Sequence, residues 1–141
     1  MHTTPNLAVD AIVVNKDKQV LLIQRGHEPF AGRWAFPGGR VNYGEDPFLA
    51  VIRELKEETN LDGKNQKLIG VYGEPSRDPR SHHVSIIYRV DVDDISTLNA
   101  GDDAKEAQFF NIKDILAKPE IFAFDHHKII SDFVAQEKIL D

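Results

Sequence analysis

The chain has no cysteine among its 141 residues. That excludes disulfides, thiolate catalysis and cysteine-ligated zinc, and it fits a reducing compartment, so a cytoplasmic location is expected. No apolar run approaches the roughly 20 residues of a membrane span, and Met1 to Asn6 lacks the basic-then-apolar pattern of a signal segment; no membrane partner is expected. Positive charge is also short. Seventeen Lys and Arg stand against 23 Asp and Glu, a net charge of -6, so general attraction to nucleic acid or to an anionic membrane is not expected. An anionic small molecule would have to be received by bound cations and local arginines. Internal repeats, low-complexity tracts and long linkers are absent as well. What is there is ordinary for a folded protein, 41% hydrophobic and 28% charged, and a single domain over residues 1–141 is the natural reading.

Leu7 to Val14 is a mostly apolar run and reads as a strand. Asn15 to Lys18 is turn-like, and Val20 to Gln24 returns as a second strand, so a hairpin is expected. Asp10 interrupts the first strand; it could face solvent, cap a loop or pair across a subunit boundary. Gly26, Pro29 and Gly32 break the stretch Arg25 to Gly32 into a loop. Trp34 to Phe36 is a short extended piece leading into a Gly38-Gly39 turn. Trp34, the only tryptophan, reads as a core residue by default. Gln66 to Gly73 and His82 to Val92 read as strands, the second with Val84, Ile86, Tyr88 and Val90 on one face and Ile87 on the other. Between them lies a Pro-punctuated polar loop, Glu74 to Ser81, whose Arg77 and Arg80 could grip phosphate or simply be solvated. His82 and His83 point to opposite faces of a strand and cannot chelate one metal, which argues against zinc. His126-His127 is no better placed as a pair, and His2, His27, His83, His126 and His127 read as hydrogen-bonded structural residues. An acidic connection, Asp91 to Asp103, precedes a last strand in Ala104 to Ile112. A helical turn at Ile112 to Leu116 and a final helix follow, the latter capped by Asp125 with Ile129, Ile130, Phe133 and Val134 as its apolar stripe. Strands interleaved with two substantial helices give an α/β class.

The central stretch is Gly39 to Leu61. A helix is expected from Pro47, with Asp46 as N-cap and Asn60 as the stop. Phe48, Val51, Ile52 and Leu55 form its buried stripe, and Glu54, Glu57 and Glu58 share another face. Those three carboxylates repel one another, and two lie in the last turn, where the helix dipole is itself negative. Arg53 pairs with Glu57 at best and leaves the other two unrelieved. Either this is a solvated helix end, or a hard divalent cation sits among the acids.

The stretch resembles the signature of the Nudix hydrolases, G-x5-E-x7-R-E-U-x-E-E-x-G-U, with U a bulky aliphatic residue. Gly39, Glu45, Arg53, Glu54, Leu55, Glu57, Glu58 and Leu61 fall on the pattern, and Asn60 stands where the family has Gly. The loop R-D-P-R-S-H-H-V-S at Arg77 to Ser85 and the F-A-F-D-H at Phe122 to His126 resemble the ADP-ribose pyrophosphatase branch, which commonly has Gly where Ser81 stands.

The resemblance implies a mixed β-sheet sandwiched between α-helices, and Mg²⁺-dependent (alternatively Mn²⁺-dependent) hydrolysis of a nucleoside diphosphate linked to another group. ADP-ribose, cleaved to AMP and ribose 5-phosphate, is the expected substrate. A dinucleotide cofactor, an oxidised nucleoside triphosphate, or a non-catalytic ADP-ribose sensor are the alternatives. It assigns the metal to Glu54, Glu57, Glu58 and the Gly39 position, with Glu45 and Arg53 holding those carboxylates in place. Arg25, Arg77, Arg80 and His82 are the implied substrate contacts. Glu106 is the candidate for activating water, with Asp102, Asp103 or one of the helix glutamates as competitors. A homodimer is implied as well.

Overall fold

The structure, a computed structural model, describes residues 3–101 and 104–141. Among the described residues seven strands fall into two sheets. β1 (Asn6–Ile12) is the organising strand of the first: it pairs antiparallel with β4 (Gly38–Arg40) and parallel with β6 (His83–Val92), which pairs antiparallel with β5 (Gly63–Tyr72), giving the order β4-β1-β6-β5. The second sheet has the order β3-β2-β7, built from β2 (Gln19–Arg25), β3 (Trp34–Ala35) and β7 (Ala104–Asn111), all antiparallel. The helices are α1 (Pro47–Thr59), α2 (Ile112–Leu116) and α3 (His126–Glu137), with a short 3-10 turn at Pro119–Ile121.

The expected hairpin of the first two strands is therefore only a corner. Val14 and Val20 form an isolated bridge around the Asn15 turn, whose side chain accepts from the Asp17 and Gln19 amides. Beyond it the strands part into different sheets. Both are buried on both faces, so neither needs the other's edge to complete its burial.

Strand alternation distributes two cores. Val9 and Ala11 of β1, Val13 just beyond it, Leu21 of β2, and Tyr88 and Val90 of β6 pack with Ala50, Val51 and Leu55 of α1. Ile12, Val20, Leu22 and Ile87 turn the other way, onto Ile112, Ile115, Ile129, Ile130 and Phe133 of α2 and α3. The faces read for β6 match this division, since Ile86 packs with the α1 core and Ile87 with the other. The stripe expected on α1 is shifted. Ala50, Val51, Leu55 and Thr59 are buried, whereas Phe48 is 45% exposed. The helix packs down on its small Ala50 face, and Phe48 is left at the rim against Tyr88.

Candidate active site

Helix α1 begins and ends where its caps dictate. The Asp46 side chain accepts from the Phe48 amide, Pro47 holds the first position, and Asn60 adopts φ 63 while its amide donates to the Lys56 carbonyl. Asn tolerates this left-handed geometry, so its standing in a Gly position costs the helix end little. These caps fix the phase of the helix, which brings Glu54, Glu57 and Glu58 to the lining of one cleft of about 620 Å³. Gly39 lines it too. A Cβ at Gly39 would collide with the Glu54 carboxylate, so this glycine is what lets the acid lie against strand backbone. At the C-terminal end of α1, the Gly101 amide donates to the Glu58 carbonyl at 2.8 Å.

Arg53 relieves more of the acidic face than the sequence indicated. Its Nε and Nη2 donate to both oxygens of Glu45 at 2.7 and 2.8 Å. Nη1 donates to Glu54 at 2.8 Å and to Glu57 at 3.0 Å, and Nη2 also donates to the Arg40 carbonyl. One guanidinium thus ties three carboxylates to the β4 backbone. The Glu45 pKa is pushed down to about 2, chiefly by the hydrogen bond from Arg53. Burial instead raises that of Glu54, against the opposing pull of Arg53.

Among the described residues no three carboxylate or imidazole groups are gathered closely enough to hold a metal as they stand. The donor chemistry nonetheless fits a hard cation: three carboxylates from one helix face line one cleft, and one of them rests in a cradle that any Cβ would fill.

The remaining expected residues divide. Arg25 and Arg80 line the cleft, and their guanidinium carbons lie 4.9 and 5.6 Å from the centre of the Phe124 ring. Phe124 holds φ 51, left-handed for a bulky residue. Arg80 is bound to Asp78 through Nε and Nη2 at 3.1 and 2.7 Å. Arg77 also lines the cleft, but its side chain is only 5% exposed. It donates twice to Asp125, at 2.9 and 2.7 Å, and once to Ser85 at 2.7 Å. This explains why Asp125, although at the N-cap position of α3, makes no side-chain capping bond: its carboxylate is taken by Arg77. His82 is absent from the cleft wall and meets the Gly73 carbonyl at 2.9 Å. Glu106 is exposed on β7 opposite Gln24 and borders a separate depression with Leu98, Asn99 and Lys105. Asp102, Asp103 and His2 lie outside the described residues.

Several residues of the cleft carried no functional reading in the sequence. His126 is buried, its Nδ1 accepts from the Phe36 amide at 3.1 Å, and its ring stacks on Phe36. Burial depresses its pKa to about 3, so the imidazole is neutral with its proton on Nε2. Asp10 also lines the cleft and is 7% exposed. Burial pushes its carboxyl up to about 7, against the pull of Arg77 and the Ser85 hydrogen bond and with the help of Asp125. The one signal for Asp10 was a charged residue inside an otherwise apolar strand. Phe124 and His126 fall within the F-A-F-D-H stretch that resembles the ADP-ribose pyrophosphatase branch, but that resemblance assigned them no role, and their place in the cleft comes from the tertiary fold.

The comparisons with known proteins agree with this geometry. A family model described as the NUDIX domain matches residues 4–133. An ADP-ribose pyrophosphatase of Methanocaldococcus jannaschii is 48% identical over 134 residues, covering 95% of this chain and 76% of that protein. An ADPR-responsive transcriptional repressor, NtrR, of Acinetobacter baylyi is 27% identical over 96% of this chain, which spans only 55% of the repressor. The NUDIX domain of Shewanella oneidensis NrtR, solved in complex with ADP-ribose, superposes with a TM-score of 0.83 at 27% identity, covering 98% of this chain and 90% of that one. With the domain match spanning nearly the whole sequence and the acid-bearing helix presented to a cleft, the chain belongs to the Nudix hydrolase family.

Proposed function

We propose that the protein hydrolyses ADP-ribose to AMP and ribose 5-phosphate with Mg²⁺, or Mn²⁺ in its place. The observation that carries this reading is the joining, in one cleft, of the Glu54, Glu57 and Glu58 carboxylates with the Arg25 and Arg80 guanidiniums. A volume of about 620 Å³ suits a ligand of this size. The 48% identity to an ADP-ribose pyrophosphatase supports the choice of substrate.

In this reading Glu54, Glu57 and Glu58 hold the divalent cation beside the Gly39 backbone. When bound, the cation supplies charge neutralisation on the diphosphate and lowers the pKa of water. Arg53 and Glu45 keep the carboxylates aimed into the cleft. Arg25 and Arg80 take the anionic groups, which the net charge of -6 would otherwise repel. Arg77, fully engaged with Asp125 and Ser85, fixes the Glu74–Ser81 loop to α3 rather than gripping phosphate. A water oxygen attacks one phosphorus, the bridging P–O bond breaks, and AMP leaves. The water's proton passes to a free oxygen of one of these helix carboxylates. Glu106, outside the cleft, is given no part in this step.

A homodimer in the cytoplasm is the accompanying proposal. Exposed Leu68 and Val71 on edge strand β5 support a self-contacting face, and light scattering of the purified protein measures it.

The likeness to the ADP-ribose-responsive repressor favours one second reading, a sensor that binds ADP-ribose without cleaving it. A panel of ADP-ribose, a dinucleotide cofactor and a nucleoside triphosphate, incubated with Mg²⁺ and resolved by product, decides between them. The proposal expects AMP and ribose 5-phosphate from ADP-ribose in preference to pyrophosphate from the triphosphate. Binding of ADP-ribose with no turnover would establish the sensor.

A further inference from the structure

We infer that Asp10 accepts a hydrogen bond from an uncharged donor on the nucleoside half of the bound substrate. The inference rests on the reading of the cleft as a nucleoside diphosphate site. Val9 and Ala11, its neighbours on β1, are buried in the α1 core. Strand alternation therefore turns Asp10 to the opposite face and into the cleft.

The fold makes room for the carboxylate. Gly38 is its register partner across the β1–β4 ladder, and a Cβ there would collide with Asp10 Oδ1 and the Val9 carbonyl. Among the described residues the group nevertheless finds little compensation. Its hydrogen bond is with the Ser85 hydroxyl. The Nε2 of His126 lies 4.0 Å from Oδ2, beyond hydrogen-bond reach, on a ring that carries no charge. The nearby Arg77 is committed to Asp125 and Ser85. An ionised carboxylate offers about four acceptor sites, and burying it half-satisfied is costly. A donor from the ligand would fill the remaining sites.

The chemistry of that donor is constrained. A carboxylate repels a diphosphate, and Arg25 and Arg80 already provide for anionic groups. Asp10 is thus suited to an uncharged part of the ligand. The aromatic wall beside it suits a planar base: the His126 ring stacks on Phe36 with centroids 5.1 Å apart, and Phe124 lies 5.6 Å from the same ring. Two donors are then available, the exocyclic amine of adenine and the hydroxyls of the ribose that carries it.

The test is equilibrium binding at pH 8 in EDTA, where no turnover occurs, comparing wild type with the isosteric Asp10→Asn. The ligands are ADP-ribose, its inosine counterpart without the amine, and the 2′- and 3′-deoxyadenosine forms. Asp10→Asn should weaken ADP-ribose by roughly tenfold or more, the usual worth of a hydrogen bond to a charged group. One analogue should already be weak with wild type and lose little further in the variant. The inosine form would identify the amine, a deoxy form the hydroxyl. These ratios do not depend on the fraction of protein folded. Affinity for ADP-ribose within about twofold of wild type, or an equal loss for every ligand, would overturn the assignment. A wild type that binds but does not hydrolyse would defeat only the hydrolase reading; one that binds none of the ligands would defeat the substrate reading and the role of Asp10 together.

Discussion

Arg53 is the residue on which the acidic face turns. Its five donors reach Glu45, Glu54, Glu57 and the Arg40 carbonyl, a pattern that lysine, with a single ammonium, cannot reproduce. Arg53→Lys is expected to lower kcat/KM by roughly 10- to 100-fold and to raise the Mg²⁺ concentration needed for half-maximal rate. Unchanged magnesium dependence would show that the carboxylates do not need this tether. The motif spacing identified Arg53, but not its reach. Helical spacing gave the i,i+4 contact with Glu57, whereas the contact with Glu45 depends on how the Asn42–Glu45 turn folds back.

Asp10 also has a consequence for stability. Its folded pKa of about 7 lies above the ordinary 3.8, so the folded state holds the proton more tightly than the unfolded chain. The resulting stabilisation is fully present below about pH 4 and is lost as pH rises through 7. Arg77 and His126 on one side and Asp125 and Glu54 on the other face this group, and the buried, neutral His126 works in the opposite sense, destabilising the fold as pH falls below 6.5. The comparison between wild type and Asp10→Asn isolates the Asp10 contribution. At pH 8 the variant should be the more stable, and the difference should shrink towards pH 4. Denaturant titrations at the two pH values measure it; a variant less stable than wild type at pH 8 would contradict the burial argument.

At the scale of elements, α1 and its flanking glycines act as one part. The helix was legible because its limits are set locally, by the Asp46 cap, Pro47 and the left-handed Asn60. Its buried face was less so. Phe48 has the right phase for the stripe, but Ala50 lets the strands approach more closely and leaves Phe48 at the edge. Gly39→Ala should keep the fold and displace the Glu54 carboxylate, because its Cβ would occupy the space of that side chain. The expected outcome is a drop in rate of roughly 10- to 100-fold with a melting temperature little changed. Activity equal to wild type would mean that Glu54 does not need its place against β4.

On the scale of the whole molecule, two helical layers press on the sheets from opposite sides, and strand alternation keeps their cores apart. The α/β class and most strand positions could be read from apolar runs and breakers. The division into two sheets could not, because it depends on the parallel pairing of β1 with β6 across more than seventy residues of chain. For the same reason the F-A-F-D-H resemblance flagged Phe124 and His126 without placing them on the far wall of the cleft. Phe133→Ala, in the α3 core and not itself part of the cleft lining, should cost about 3–5 kcal/mol. Its activity at a temperature where it remains folded should stay near that of wild type.

The most direct measurement of the central claim, that the α1 carboxylates serve diphosphate hydrolysis, is Mg²⁺-dependent turnover of ADP-ribose by wild type, Glu57→Gln and Glu58→Gln, with products identified. Wild type should yield AMP and ribose 5-phosphate. Each variant should retain the wild-type melting temperature and lose at least about a hundredfold in rate, since a charged ligand is removed without a change of volume. Full activity in both variants would contradict the account.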